Sequence, residues 1–128
     1  MDIMKELDDI DPLFLSGDYQ EGFRKLWELW EKVPEPKTGT SNAYWAIETG
    51  VLFALRSGNL DEARKWAELA PSFKAKRQDM GEVEFLIGKV ALALGEINRA
   101  RENFISAYKK SDGRVFEGED PKYRALIA

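Results

Sequence analysis

The chain has 128 residues, 44% hydrophobic and 33% charged, with four Trp, ten Gly, five Pro and a net charge of −4, the composition of one globular domain with a real core. Cysteine and histidine are both absent, which excludes disulfides, thiolate and imidazole metal sites, cysteine nucleophiles and every triad that relays a proton through imidazole. The acidic balance argues against nucleic acid as a partner, because phosphate binding needs concentrated Lys and Arg, and no apolar run approaches the roughly 20 residues of a membrane span.

The first nine residues, Met1 to Asp9, read as an acidic helical start without a basic leader or an apolar signal core, so a cytoplasmic location is expected. Ile3, Leu7, Ile10 and Phe14 then recur at helical spacing. Asp11-Pro12 interrupts them, and because proline lacks the N–H a helix interior needs, while Asp before Pro makes a good cap, a kink or restart is predicted there.

A turn signal follows at Gly17-Asp18-Tyr19-Gln20-Glu21-Gly22, and after it a second amphipathic stripe: Tyr19, Phe23, Leu26, Trp27, Trp30 and Val33. The breaker-rich segment Pro34 to Asn42 predicts a loop. The next helix runs from Asn42 to Ser57, closes at Gly58-Asn59-Leu60-Asp61-Glu62-Ala63, and gives way to the stripe Leu60, Ala63, Trp66, Ala67, Ala70 and Phe73. Beyond a basic knot at Lys74, Lys76 and Arg77 and a breaker stretch around Gln78 to Gly81 lies a third pair. Its first helix carries Val83, Ile87, Val90 and Leu94, its turn is Gly95-Glu96-Ile97-Asn98-Arg99-Ala100, and its second stripe is Ile97, Ala100, Phe104, Ala107 and Tyr108. Asp120-Pro121 should cap a short final helix, Pro121 to Ile127, that closes the end with Tyr123, Leu126 and Ile127.

The three turn signals share one order of residue types: a Gly able to adopt the left-handed conformation, a short polar residue, an apolar anchor and a small residue. Their glycines are separated by 41 and 37 residues, a little above the period of about 34 of the tetratricopeptide repeat. Ile87-Gly88, Gly95, Ala100, Phe104 and Ala107 fall at the spacing of that family's signature, so the third unit resembles a tetratricopeptide repeat. The second is similar through Gly50, Gly58, Ala63 and Ala70, although Pro71 arrives early, and the first keeps Gly17 and Pro34 but has Gly22 where Ala is usual. The resemblance implies an all-α, right-handed helical-hairpin solenoid of three repeats (six helices, about 2–34, 41–77 and 81–111) with a C-terminal cap, 112–128, in a single domain.

No phosphate-cradling glycine loop, calcium loop or zinc spacing occurs. The carboxylate pairs Glu28/Glu31 and Glu82/Glu84 are expected on exposed helix faces, where the environments of the two members should not differ, whereas an acid–base couple needs environments that split its pKa values. Neither catalysis nor a cofactor or metal is expected. Trp27, Trp30 and Trp66 sit on the stripes and are assigned to the core.

The resemblance places the ligand surface on the first helix of each hairpin. Phe85 and Leu92 point away from the main stripe of the third unit, with Lys89 beside them, either as a packing face or as a binding face. In the second unit Trp45 and Leu52 oppose Ile47 and Ala54, an all-round apolar helix suited to the middle of a stack, whose polar exceptions Tyr44 and Glu48 would look toward Lys89 and Glu82. Candidate partner-binding residues are therefore Tyr44, Glu48, Glu82, Phe85, Lys89 and Leu92, joined by two acidic clusters: Asp8, Asp9 and Asp11, and Glu117, Glu119 and Asp120. The clusters would steer a basic protein. Trp27 to Lys37 and Phe116 to Tyr123 resemble small bacterial tetratricopeptide-like proteins of polymorphic-toxin settings. That resemblance implies an immunity protein that neutralises a basic toxin domain by direct binding. The alternative is an adaptor or chaperone that takes a peptide or helix in its groove.

Overall fold

The computed structural model describes residues 1–76 and 80–128; Arg77 of the basic knot, and Gln78 and Asp79 of the breaker stretch, lie outside them. The described residues form helices and turns without a strand, with successive helices packed in adjacent pairs. Two compact units emerge, Met1–Trp66 and Ala67–Ala128.

In the first unit α1 (Ile3–Leu15) and α2 (Tyr19–Lys32) make one hairpin, and α3 (Tyr44–Ser57) packs on both. Phe14 of α1 stacks on Phe53 of α3, with centroids 4.4 Å apart and planes 6° from parallel, and meets Phe23 of α2 edge-on at 4.9 Å. Helix α4 (Leu60–Ala67) brings in Trp66, which is fully buried, stacks on Trp27 at 3.8 Å and receives Trp30 edge-on at 5.9 Å. The assignment to the core holds for Trp30 and Trp66, whereas Trp27 is only half-buried: it lies over the Trp66 ring with its Nε1 donating to Glu62 at 2.9 Å.

In the second unit α5 (Glu82–Ala93) and α6 (Ile97–Ser111) form the most extensive helix pair. A 3₁₀ segment, Ala70–Lys76, lies against α5, and a 3₁₀ turn, Arg114–Phe116, leads into α7 (Pro121–Ala125). Asp120 caps α7 by accepting from the Lys122 amide at 3.0 Å, and Tyr123, Leu126 and Ile127 pack on the core of Phe85, Ala91, Ala100, Phe104 and Ala107.

The three hairpin turns are closed by one hydrogen-bond scheme. Gly17, Gly58 and Gly95 have φ of 88°, 73° and 81°. Each donates to the carbonyl three residues back (Phe14, Leu55, Leu92), and the next residue donates five back, Asp18 to Leu13, Asn59 to Ala54 and Glu96 to Ala91, each at 2.9 Å. The following helix then opens with Gly22, Ala63 or Ala100 donating to Asp18, Asn59 or Glu96. Two carbonyls left over by the first helix are thus satisfied by the turn itself, and the second helix begins its own ladder four residues after the polar turn residue.

Side-chain size sets how closely the paired helices approach. A Cβ on Gly50 would lie 2.5 Å from the Trp66 ring, and one on Gly88 2.5 Å from the Phe104 ring. In each hairpin the glycine and its aromatic are 16 residues apart. In the first, Gly22 plays a similar part against Phe14 at 2.7 Å, which explains why Gly replaces the usual Ala there.

Three local expectations are corrected. No restart occurs at Pro12: α1 continues through it, with Pro12 exposed and its carbonyl accepting from Ser16 at 3.0 Å. Asp8, whose carbonyl loses the amide, is also exposed, so the missing bond falls on the solvent side of the helix and not in the core. The second unit's stripe does not stay α-helical to Phe73, because Pro71 cannot donate to Ala67 and the chain tightens to 3₁₀ from Ala70. Helix α3 starts at Tyr44 because Asn42 is left-handed, with φ 65°.

Two kinds of glycine cost should separate in urea denaturation. Gly50→Ala forces a methyl into the Trp66 ring and should destabilise by about 2 kcal/mol. Gly58→Ala meets no atom within 4 Å and should cost only the left-handed strain, about 1 kcal/mol. Equal losses would contradict this distinction.

Candidate binding surface

The expected surface residues divide between the two units. In the first, Tyr44 is 2% exposed, too buried to present its ring to a partner, and its hydroxyl donates to Glu48 at 2.9 Å. That bond joins successive turns of α3 and leaves Glu48 half-buried. Tyr44 is therefore a core residue with a satisfied hydroxyl.

In the second unit Phe85 is 4% exposed. It meets Phe116 at 4.9 Å, and Phe104 and Tyr123 at 5.6 Å each. Leu92 packs on the same cluster. The two-way reading of this face of α5 is thereby decided: α6, the Arg114–Phe116 turn and α7 cover it, so Phe85 and Leu92 are packing residues. Lys89 is half-buried above the Phe85 ring, its ammonium 4.9 Å from the centroid and 3.9 Å from Glu119. Glu82 lines an open cleft of about 290 Å³ with Met80, Ser111, Arg114 and Val115.

The acidic clusters differ in what they do. Asp120 is the cap of α7, and Glu119 holds Lys89, so both serve the fold of the second unit, while Glu117 is exposed. Burial first, then the charges of Asp120 and Glu119, push the Tyr123 hydroxyl above its ordinary pKa, as expected for a phenol closed in by these carboxylates. Contrary to expectation, Glu84 does not share the environment of Glu82: whereas Glu82 borders the open cleft, Glu84 is almost wholly buried, with one oxygen 2.7 Å from Lys110 and the other without a hydrogen bond. Its partner Lys110 is partly exposed, so the pair ties α5 to α6.

Asp8 and Asp9 on α1 are exposed. Asp9 lines a cleft of about 380 Å³ with Glu6, Ile10, Lys25, Glu28, Leu29 and Lys32. Asp11 is half-buried with one carboxylate oxygen shut from solvent and unbonded; burial, with Asp8 nearby, raises its pKa. Among the described residues no cation is paired with Asp8 or Asp11.

The surface that sequence reasoning missed lies on α3. Trp45 is 36% and Leu52 43% exposed, with Thr49 between them and Arg56 one turn on, its guanidinium 5.5 Å from the Phe53 ring. Positions 45, 49, 52 and 56 form one row along the helix. Counted back from their glycine turns, Met4, Asp8, Asp11 and Leu15 are the matching row of α1, and Met4 and Leu15 are likewise exposed. The two helices are joined through the Phe14–Phe53 stack. The signal in the sequence was Trp45 and Leu52 opposite Ile47 and Ala54, read as stack-interior apolarity.

Among the described residues no helix is long and apolar enough to cross a membrane, and no three acidic side chains group as a metal site. No family model matches the chain, and neither curated proteins nor solved structures yield a significant match.

The raised pKa of Asp11 fixes the sign of a pH effect. Ionising this carboxyl costs the folded state more than the unfolded chain, so its contribution to stability is present in acid and lost as pH rises through the folded pKa. Asp11→Asn should therefore raise the urea midpoint at neutral pH, with the gain disappearing below about pH 4. An equal gain at every pH would contradict the assignment.

Proposed function

We propose that the chain is a non-catalytic protein-binding module, most specifically a cytoplasmic immunity protein that neutralises a toxin domain by direct contact, built on a right-handed array of tetratricopeptide-like hairpins. The observation that carries the binding role is the row on α3: a large aromatic and a leucine, Trp45 and Leu52, left exposed on a helix half of whose residues are buried. Trp is the residue most enriched among binding hot spots, and an exposed pair on one row is the anchor such contacts use. The acidic row of α1, Asp8 and Asp11 between Met4 and Leu15, supports a basic partner, since like charges there await a cation. The shared turn scheme supports the repeat architecture, and the lack of His and Cys supports a role without catalysis.

The immunity role rests on the sequence resemblance; an adaptor with the same surface would differ in having several partners at micromolar affinity rather than one at nanomolar or tighter. The test is co-expression with the product of the adjacent gene and capture from the native host. One tight partner whose toxicity the chain suppresses is expected, with Trp45→Ala weakening the complex by about 30-fold or more. Neither rescue nor a complex would remove the immunity reading. Capture unaffected by Trp45→Ala together with Leu52→Ala would remove the α3 row as the anchor.

A further inference from the structure

Charge is divided unequally between the two units. Residues 1–66 hold 13 acidic and 8 basic side chains, whereas residues 67–128 hold 10 acidic and 11 basic. The division is sharpest on two outward helix rows. On α1, Asp8 and Asp11 stand between the exposed apolar side chains Met4 and Leu15.

On α6, Ile97, Arg101, Ile105 and Tyr108 follow one another at helical spacing, and the three apolar members are each more than a third exposed. Arg124 of α7 extends this row, its guanidinium 4.7 Å from the Tyr108 ring centroid. Arg101 reaches only the neutral oxygens of Asn98 and Leu126, each at 3.4 Å. Among the described residues neither arginine has a carboxylate partner. One row is thus apolar with two unpaired anions, the other apolar with two unpaired cations, and both are of similar length.

We propose that the chain associates head to tail with a second copy of itself, the acidic row of α1 in one copy seating on the basic row of α6 and α7 in the next. This goes beyond the binding role above: it does not use Trp45 or Leu52, but it shares the acidic row of α1 with that role, so the two associations would compete there. The contact brings an aspartate pair to an arginine pair while covering Met4 and Leu15 with Ile97, Ile105 and Tyr108. The raised pKa of Asp11, due to burial and to Asp8, agrees with a site that lacks a cation in the single chain. Because the two faces differ, each copy offers one face of either kind, which a second copy can take reciprocally or a further copy can take in turn. A one-helix row on the short row of α6 and α7 buries less than the 1,200–2,000 Å² or so of a stable interface, so the association is weak and salt-sensitive.

The test is sedimentation of the purified full chain from about 10 µM to about 1 mM, at about 50 mM and about 500 mM salt. The average mass should rise with concentration at low salt and return to the monomer at high salt. Asp8→Lys/Asp11→Lys and Arg101→Glu/Arg124→Glu should each be monomeric alone, with unchanged circular dichroism, and should associate again when mixed. Trp45→Ala should associate like the parent chain, which separates this proposal from the fate of the α3 anchor. A parent chain that stays monomeric across the low-salt range, or either charge variant associating alone, would overturn it.

Discussion

Everything in the two units hangs from a left-handed glycine that returns the chain on itself. A helix end exposes carbonyls and a helix start exposes amides, and a short connection must satisfy both without a long loop. At Gly17, Gly58 and Gly95 the same pair of backward hydrogen bonds closes the first helix, and the same forward bond opens the second. Only a residue without a Cβ adopts that conformation cheaply. The geometry forces the helices of a hairpin into contact, and the size of the residues between them then decides how close they come. Gly50 under Trp66 and Gly88 under Phe104 are the consequence, since an added methyl has no room in either.

Those features were legible because each is written locally. A glycine between two periodic stripes, followed by a short polar residue, has one reasonable reading, and Asp120-Pro121 at the head of α7 is another local signal that worked. Pro12 misled for the complementary reason. The local rule prices a proline by the hydrogen bond it removes, but that cost falls when the orphaned carbonyl faces water, as at Asp8 on the outer side of α1.

The binding surface was less legible because a helical wheel finds apolar faces without saying what covers them. Phe85 and Leu92 form an apparent second face of α5 until the 3₁₀ turn and α7 fold over it, contacts made by residues distant in sequence such as Phe116 and Tyr123. Helix α3 shows the converse. Its all-round apolarity suggested burial on every side, yet Trp45 and Leu52 keep 36% and 43% of their surface exposed. Tyr44 illustrates a third case, in which a polar atom on an apolar ring signals an internal hydrogen bond to Glu48 rather than a contact with a ligand.

The central claim is that the exposed row of α3, bordered by the acidic row of α1, is where another protein docks. Hydrogen exchange on the chain alone and with its captured partner tests it most directly, because protection reports the covered elements residue by residue. The account predicts that added protection concentrates in α3 between residues 45 and 56 and in α1, with little change in α5. Protection confined to α5, α6 or α7, with α3 exchanging as in the free chain, would contradict it.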